Sequence, residues 1–270
     1  MLVNARKYVP PNFTILPGFS VQFRDKTYEV ERVLQVRPIS VVLVVRGPSE
    51  PIRRIIKIYP KINQIGFNRR GFQKECRAYR ILRAADCKHV PYYHGSTSSL
   101  TVLYPPNSKV PADDRLNGKQ NAIMLEYLDG ELFLPQNATE EAAAKALIYL
   151  QEIHNLSICH GDIYYYETRI DTPRNLMLLT NGDVRWIDFE HSSTNASSED
   201  LKDEMAVVAE LIGPSGILWK LNLDRAYPTT KGLGSCPQVI KTNICKRTNL
   251  RTVMIVAPMA DRRSVSPPKG

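Results

Sequence analysis

Asp162, Asn175 and Asp188 are the residues of this chain whose types and spacing best suit chemistry. Asn175 precedes the apolar run Leu176-Met177-Leu178-Leu179, after which Asn181-Gly182-Asp183 leads into Val184-Arg185-Trp186-Ile187. Two short apolar runs around an Asn-Gly pair predict a β-hairpin. A hairpin returns the chain to its starting end, so Asn175 and Asp188 are expected side by side, offering hard oxygen ligands to a cation such as Mg²⁺. Asp162, on the preceding loop, is suited to accept or orient the proton of an attacking hydroxyl while the metal neutralises charge on a transferred phosphate. Taken singly, Asp and Asn beside strands are ordinary turn formers.

Two further residues need elements to position them. Arg53-Arg54-Ile55-Ile56-Lys57-Ile58-Tyr59 follows the Gly47-Pro48 turn and reads as a strand, whose alternation puts Lys57 on the face opposite Ile56 and Ile58. Downstream, Phe72, Cys76, Tyr79 and Leu82 recur at helical spacing, and Glu75 lies beside that stripe. A strand lysine can reach phosphates, and Glu75 can hold it in place. An isolated Lys-Glu couple is otherwise a solvated surface pair.

Lys57, Glu75, His160-Gly161-Asp162, Asn175 and Asp188-Phe189 occur in the order that protein kinases present them, and over about residues 20–215 the chain resembles that superfamily. The resemblance implies an α+β, two-lobed protein-kinase-like fold: a small β-rich lobe (20–125), a hinge (126–130) and a truncated, mainly helical large lobe (131–225), flanked by an extension (1–19) and a tail (226–270). It implies ATP and Mg²⁺ as cofactors, Lys57 on the phosphates, Asn175 and Asp188 on the metal and Asp162 at the acceptor. Ile123-Met124-Leu125-Glu126-Tyr127-Leu128-Asp129-Gly130 is similar to the kinase hinge. Carried over, Leu125 is the gatekeeper, the Glu126 carbonyl accepts from adenine and the Leu128 amide donates to it.

Departures from the pattern bear on substrate and activity. Leu34-Gln35-Val36-Arg37-Pro38-Ile39-Ser40 stands where a glycine-rich phosphate loop belongs and contains no glycine, so close backbone approach to phosphate is obstructed. Asp162 and Asn175 are thirteen positions apart, longer than the pattern by the eight residues Tyr165 to Thr172. Gly161 replaces the arginine that many protein kinases place before the aspartate, and Glu190 follows Asp-Phe; His-Gly-Asp and Asp-Phe-Glu also resemble the aminoglycoside and choline phosphotransferase branch. Ser192 to Ser198 runs straight toward a helix with no Ala-Pro-Glu anchor for a peptide platform. The resemblance as a whole implies an ATP- and Mg²⁺-dependent phosphotransferase of protein-kinase type, with a small-molecule kinase and a pseudokinase that binds partners without chemistry as the alternatives these departures raise.

Composition fits one catalytic unit. At 270 residues and 43% hydrophobic, the chain can bury a full core. Five cysteines with no Cys-x-x-Cys pair argue for a reducing compartment. The first residues lack the apolar core of a signal peptide, and the longest apolar run, Ile39 to Val45, is too short to span a bilayer, so a cytoplasmic or nuclear protein without a membrane partner is expected. The net charge is +9, of which residues 226–270 contribute +7, from eight Lys and Arg against Asp261. A basic tail poor in aromatics reads as a solvated extension suited to acidic partners, not as a nucleic-acid surface.

The remaining elements follow from pattern. Strands are predicted over Thr27 to Val36, Ile39 to Arg46 and Ile52 to Tyr59, and near 100–104 and 121–127, with a helix near 68–84. Asn137-Ala138-Thr139-Glu140 reads as a capping box before a helix striped by Ala143, Ala146, Leu147, Leu150 and Ile153. A last helix, about Glu199 to Ile212, carries Leu201, Met205, Val208 and Leu211.

Overall fold

The structure, a computed structural model, describes residues 19–48, 50–61, 67–105, 116–163 and 173–219. All of them belong to one compact unit, Met1–Gly232; the inserted Tyr165 to Thr172 and the tail lie outside the described residues.

Six strands, β1 (Ser20–Phe23), β2 (Lys26–Val36), β3 (Val41–Gly47), β4 (Glu50–Tyr59), β5 (Tyr93–Leu103) and β6 (Gln120–Glu126), close into a barrel in the order β1-β2-β3-β4-β6-β5. Every pairing in it is antiparallel. Val30, Val41, Leu43, Val45, Ile56, Ile58, Ala122 and Met124 fill its interior. Strand alternation sends the neighbours Lys57, Tyr59, Ile123 and Leu125 to the outer face. There α1 (Phe67–Ala84) packs through Cys76, Tyr79 and Leu82. A second sheet, β7 (Gly130–Leu132), β8 (Leu176–Leu179) and β9 (Val184–Trp186), joins α2 (Glu140–His154) and α3 (Ser198–Ile212) in the same outer core.

This architecture corrects the expected fold class. A two-lobed kinase-like fold calls for an open small sheet and a helical large half; the described residues instead form a closed six-stranded barrel, a further three-stranded sheet and only three helices. The closure depends on β1, which pairs Ser20 with Glu29 on one side and with Leu103 on the other and so removes both sheet edges. Four residues gave too short a pattern to predict it.

The expected strands over 27–36, 39–46, 52–59 and 121–127 and the three helices form close to their predicted bounds, whereas β5 begins at Tyr93 and not near 100, β1 and β7 were not expected, and α2 is capped differently. Its N-cap is Thr139, whose hydroxyl accepts from the Ala142 amide, and the capping box read at Asn137 is absent. The Asn137 carboxamide instead serves the preceding turn, accepting from the Leu134 amide and donating to the Leu132 carbonyl.

Candidate functional site

Register fixes Lys57 on the outer face of β4, paired with Val42 on β3 and Ile123 on β6. Its ammonium lies 2.9 Å from Glu75 Oε2, 2.5 Å from Asp188 Oδ1 and 3.0 Å from Glu190 Oε2, and its side chain is only 6% exposed. Glu75 is fully buried on α1 and also accepts from the Tyr59 hydroxyl, while its Oε1 atom has no hydrogen-bond partner among the described residues. Three elements distant in sequence thus deliver one cation and three carboxylates to a single buried point. Lys57, Glu75 and Asp188 come together as the sequence predicts; Glu190 was not assigned there.

Charge is distributed unevenly among these groups. Burial opposes ionisation of Lys57, but Glu75, Asp188 and Glu190 outweigh it and hold the ammonium pKa well above the usual lysine value. Burial pushes Glu75 up to about 8 despite Lys57, with the Asp188 charge adding to the rise. Burial acts on Glu190 in the same direction, yet the hydrogen bond from His191 and the charge of Lys57 bring it down to about 2.

The hairpin forms where expected. Leu176 pairs with Trp186 and Leu178 with Val184, Gly182 sits in the left-handed region at φ 79°, and the Ile187 amide donates to the Asn175 carbonyl at 2.8 Å. The two proposed metal ligands flank that last bond. Both Asn175 (φ 59°) and Asp188 (φ 65°) are left-handed, a conformation that non-glycine residues seldom take and that clusters at functional sites.

Asp162 is held next to this hairpin. Asn175 Nδ2 donates to Asp162 Oδ2 at 3.0 Å and to its carbonyl at 2.9 Å, and Arg174 Nη1 donates to Oδ1 at 2.8 Å. Burial raises the Asp162 pKa, against the pull of Arg174 and His191. The long spacing between Asp162 and Asn175 therefore does not separate them. His191 connects the two groups of residues: it hydrogen-bonds Glu190, which raises its own pKa, and lies within the field of Asp162 and Asp188.

The loop carrying His160-Gly161-Asp162 hangs on α3. Glu204 accepts from the His160 amide (2.8 Å), the Gly161 amide (2.7 Å) and His154 Nε2 (2.8 Å). His160 Nε2 donates to the Ile187 carbonyl at 2.9 Å, tying the loop to the hairpin exit. Gly161, at φ 76°, allows close approach of His191, whose carbonyl would lie 2.6 Å from an added Cβ. Arg174, His191 and Glu204 were not assigned from sequence; only the helix carrying Glu204 was recognised, neither its Ser197 cap nor the reach of the Glu204 side chain.

Glu126 ends β6, and its amide and carboxylate both bond the backbone of Tyr92, at 2.9 and 3.0 Å. These contacts fix it without using the carbonyl assigned to adenine. Leu128 is buried just beyond. The Leu34 to Ser40 connection closes as a turn, Arg37 amide to Ser40 carbonyl at 2.8 Å, with no glycine cradle for phosphate.

The carboxylate oxygens of Glu75, Asp188 and Glu190 lie within 4.8 Å of one another, a set of hard oxygen ligands of the kind that holds a divalent cation, and the Lys57 ammonium lies against all three. Among the described residues, Lys57 is the buried ammonium beside them. Compared with protein-family models and with curated proteins, the chain matches none.

Proposed function

We propose that this chain is an ATP- and Mg²⁺-dependent phosphotransferase acting on a hydroxyl acceptor. The observation that carries the proposal is Lys57 seated between Glu75 and Asp188, with Asp162 hydrogen-bonded to Asn175 beside it. Lys57 grips nucleotide phosphate and Glu75 holds Lys57. Asn175 and Asp188 hold Mg²⁺, which offsets charge on the phosphates when bound. Asp162 positions the acceptor hydroxyl and takes its proton as the acceptor oxygen bonds to the γ-phosphorus and the bond to the ADP oxygen breaks. Burial favours this role by raising Asp162 toward the pH at which a general base is effective.

A small-molecule acceptor is favoured over a protein. Only Phe189 to Ser197 separates Asp188 from α3, and Ser197 already caps that helix with Asp200. Little chain is left for a peptide-docking platform. A second reading, a binding module without turnover, draws on Asp162 itself, both of whose carboxylate oxygens are engaged, by Arg174 and Asn175.

Thermal shift with ATP, with and without Mg²⁺, separates these readings when run on wild type and Asp188→Ala and followed by phosphate-transfer assays on small alcohols and proteins. Mg²⁺-dependent stabilisation that Asp188→Ala abolishes, with turnover on an alcohol, is the expected result. Stabilisation without any turnover supports the binding module, and no nucleotide effect on wild type overturns the proposal.

A further inference from the structure

A lysine ammonium carries three N–H donors, and at Lys57 three carboxylate oxygens match them: Glu75 Oε2 at 2.9 Å, Asp188 Oδ1 at 2.5 Å and Glu190 Oε2 at 3.0 Å. The Tyr59 ring covers a further side, with its centroid 5.2 Å from Nζ. Phosphate therefore gains a donor from this ammonium only when one of the three acids withdraws.

The acids differ in their freedom to do so. Glu75 is fully buried on α1, and its Oε2 atom also accepts from the Tyr59 hydroxyl, so a second element pins it. Asp188 sits at the exit of β9 in a left-handed backbone, close to the bond that closes the hairpin. Glu190 lies in the connection between β9 and α3, outside any helix or strand. It also has another partner at hand, since His191 Nε2 lies 3.4 Å from its Oε1 atom and the His191 side chain is 53% exposed. Glu190 can release Lys57 toward the open side of the site and keep a hydrogen bond.

We propose, resting on the phosphotransferase reading of this site, that Glu190 is a specificity-determining residue for the nucleotide: it guards Lys57 against metal-free nucleotide and yields to nucleotide that carries Mg²⁺. A metal-free triphosphate brings its full negative charge to a point where one ammonium faces three acids, and like-charge juxtaposition of this kind is strongly unfavourable. Mg²⁺ on the phosphates offsets that charge, so the same carboxylate opposes the metal-loaded nucleotide far less. Kinase-type phosphates and Lys57 alone do not demand such a guard; Glu75 and Asp188 already hold the ammonium in place.

Calorimetric titration of the full chain with ATP in EDTA and with ATP in excess Mg²⁺ tests the assignment. Wild type is expected to bind ATP with Mg²⁺, and at least about tenfold more weakly without it. In Glu190→Gln the metal-free Kd is expected to fall at least about tenfold while the Kd with Mg²⁺ changes less, so that the two converge. Glu190→Ala carries the same expectation should Glu190→Gln not fold. Glu152→Gln removes a negative charge from a position bonded to His89 and should keep both wild-type Kd values. Wild-type metal-free affinity in the folded Glu190 variant, an equal gain with and without Mg²⁺, or the same gain in Glu152→Gln overturns the guard role, and the phosphotransferase reading survives as long as wild type binds ATP with Mg²⁺. The expected convergence without phosphate transfer to any acceptor upholds the guard role and overturns the phosphotransferase reading alone. No ATP binding by any of these proteins overturns both.

Discussion

The Asp188 carboxylate meets the Lys57 ammonium at 2.5 Å across 131 positions of sequence, and with Glu75 and Glu190 it leaves that one cation facing three acids. Removing the cation strands buried carboxylates. Lys57→Met is therefore expected to lose about 3–5 kcal/mol of stability, the usual cost of leaving a buried charge unpaired. Adding Glu75→Gln to it should recover part of the loss, a coupling that chemical denaturation of the two single variants and the double resolves. Strictly additive effects would show that the contact contributes nothing.

Glu75 and Glu190 impose opposite pH dependences. Glu75 is raised to about 8, so the folded chain binds the extra proton, and the stability it contributes is complete below the ordinary carboxylate range and is lost as pH rises toward 8. Glu190 is lowered to about 2, so its contribution is present above the ordinary carboxylate range and disappears as pH falls toward 2. Melting temperature should peak at mildly acidic pH in wild type. In Glu75→Gln the decline on the alkaline side should flatten while the acid limb stays; an unchanged alkaline limb would refute the assignment of that proton to Glu75.

Much of this arrangement was legible in the sequence, and what escaped did so for physical reasons. Alternation in β4 told Lys57 apart from Ile56 and Ile58 because the two faces meet such different surroundings, and the Asn181-Gly182 turn announced its hairpin. Barrel closure was not visible: β1 is four residues long and its partners lie on β2 and β5, so no local pattern reports it. All three residues of β7 are exposed and carry no periodicity. Glu190, His191 and Glu204 act through side-chain reach across the fold, which spacing along the chain does not encode. Cap choice failed where Asn137 and Thr139 were both competent, since the turn through Leu134 used the asparagine first.

Gly161 and Gly71 offer a matched pair of substitutions. At Gly161 a Cβ would lie 2.6 Å from the His191 carbonyl, on a backbone at φ 76°. At Gly71 the nearest atom is Glu190 Cβ at 3.7 Å, an ordinary contact. Gly161→Ala should displace the Asp162 loop and His191 together, lowering stability by roughly 1–3 kcal/mol, the range of such backbone strain. Gly71→Ala should unfold within about 1 kcal/mol of wild type or gain slightly, since Ala favours a helix over Gly. Equal effects at the two sites in urea melts would argue against close packing of the His160-Gly161-Asp162 loop on His191.

Glu204 is the acceptor from which that loop is suspended, taking two consecutive backbone amides and the His154 ring from α3. Burial opposes its charge, yet His154, His160 and the two amides hold its pKa below the usual carboxylate value. Glu204→Ala leaves buried donors unmatched, at about 1–3 kcal/mol for each group that water does not reach. Glu204→Gln retains one acceptor oxygen and adds two donors facing N–H groups, so it should lie between wild type and Ala in stability. Hydrogen exchange at the His160 and Gly161 amides distinguishes a local hinge from global loss. Those two amides should exchange faster in Glu204→Gln while the Ile56 and Ile58 amides of β4 keep their protection, and equal acceleration at both places would make Glu204 a general packing residue and not the anchor of the Asp162 loop.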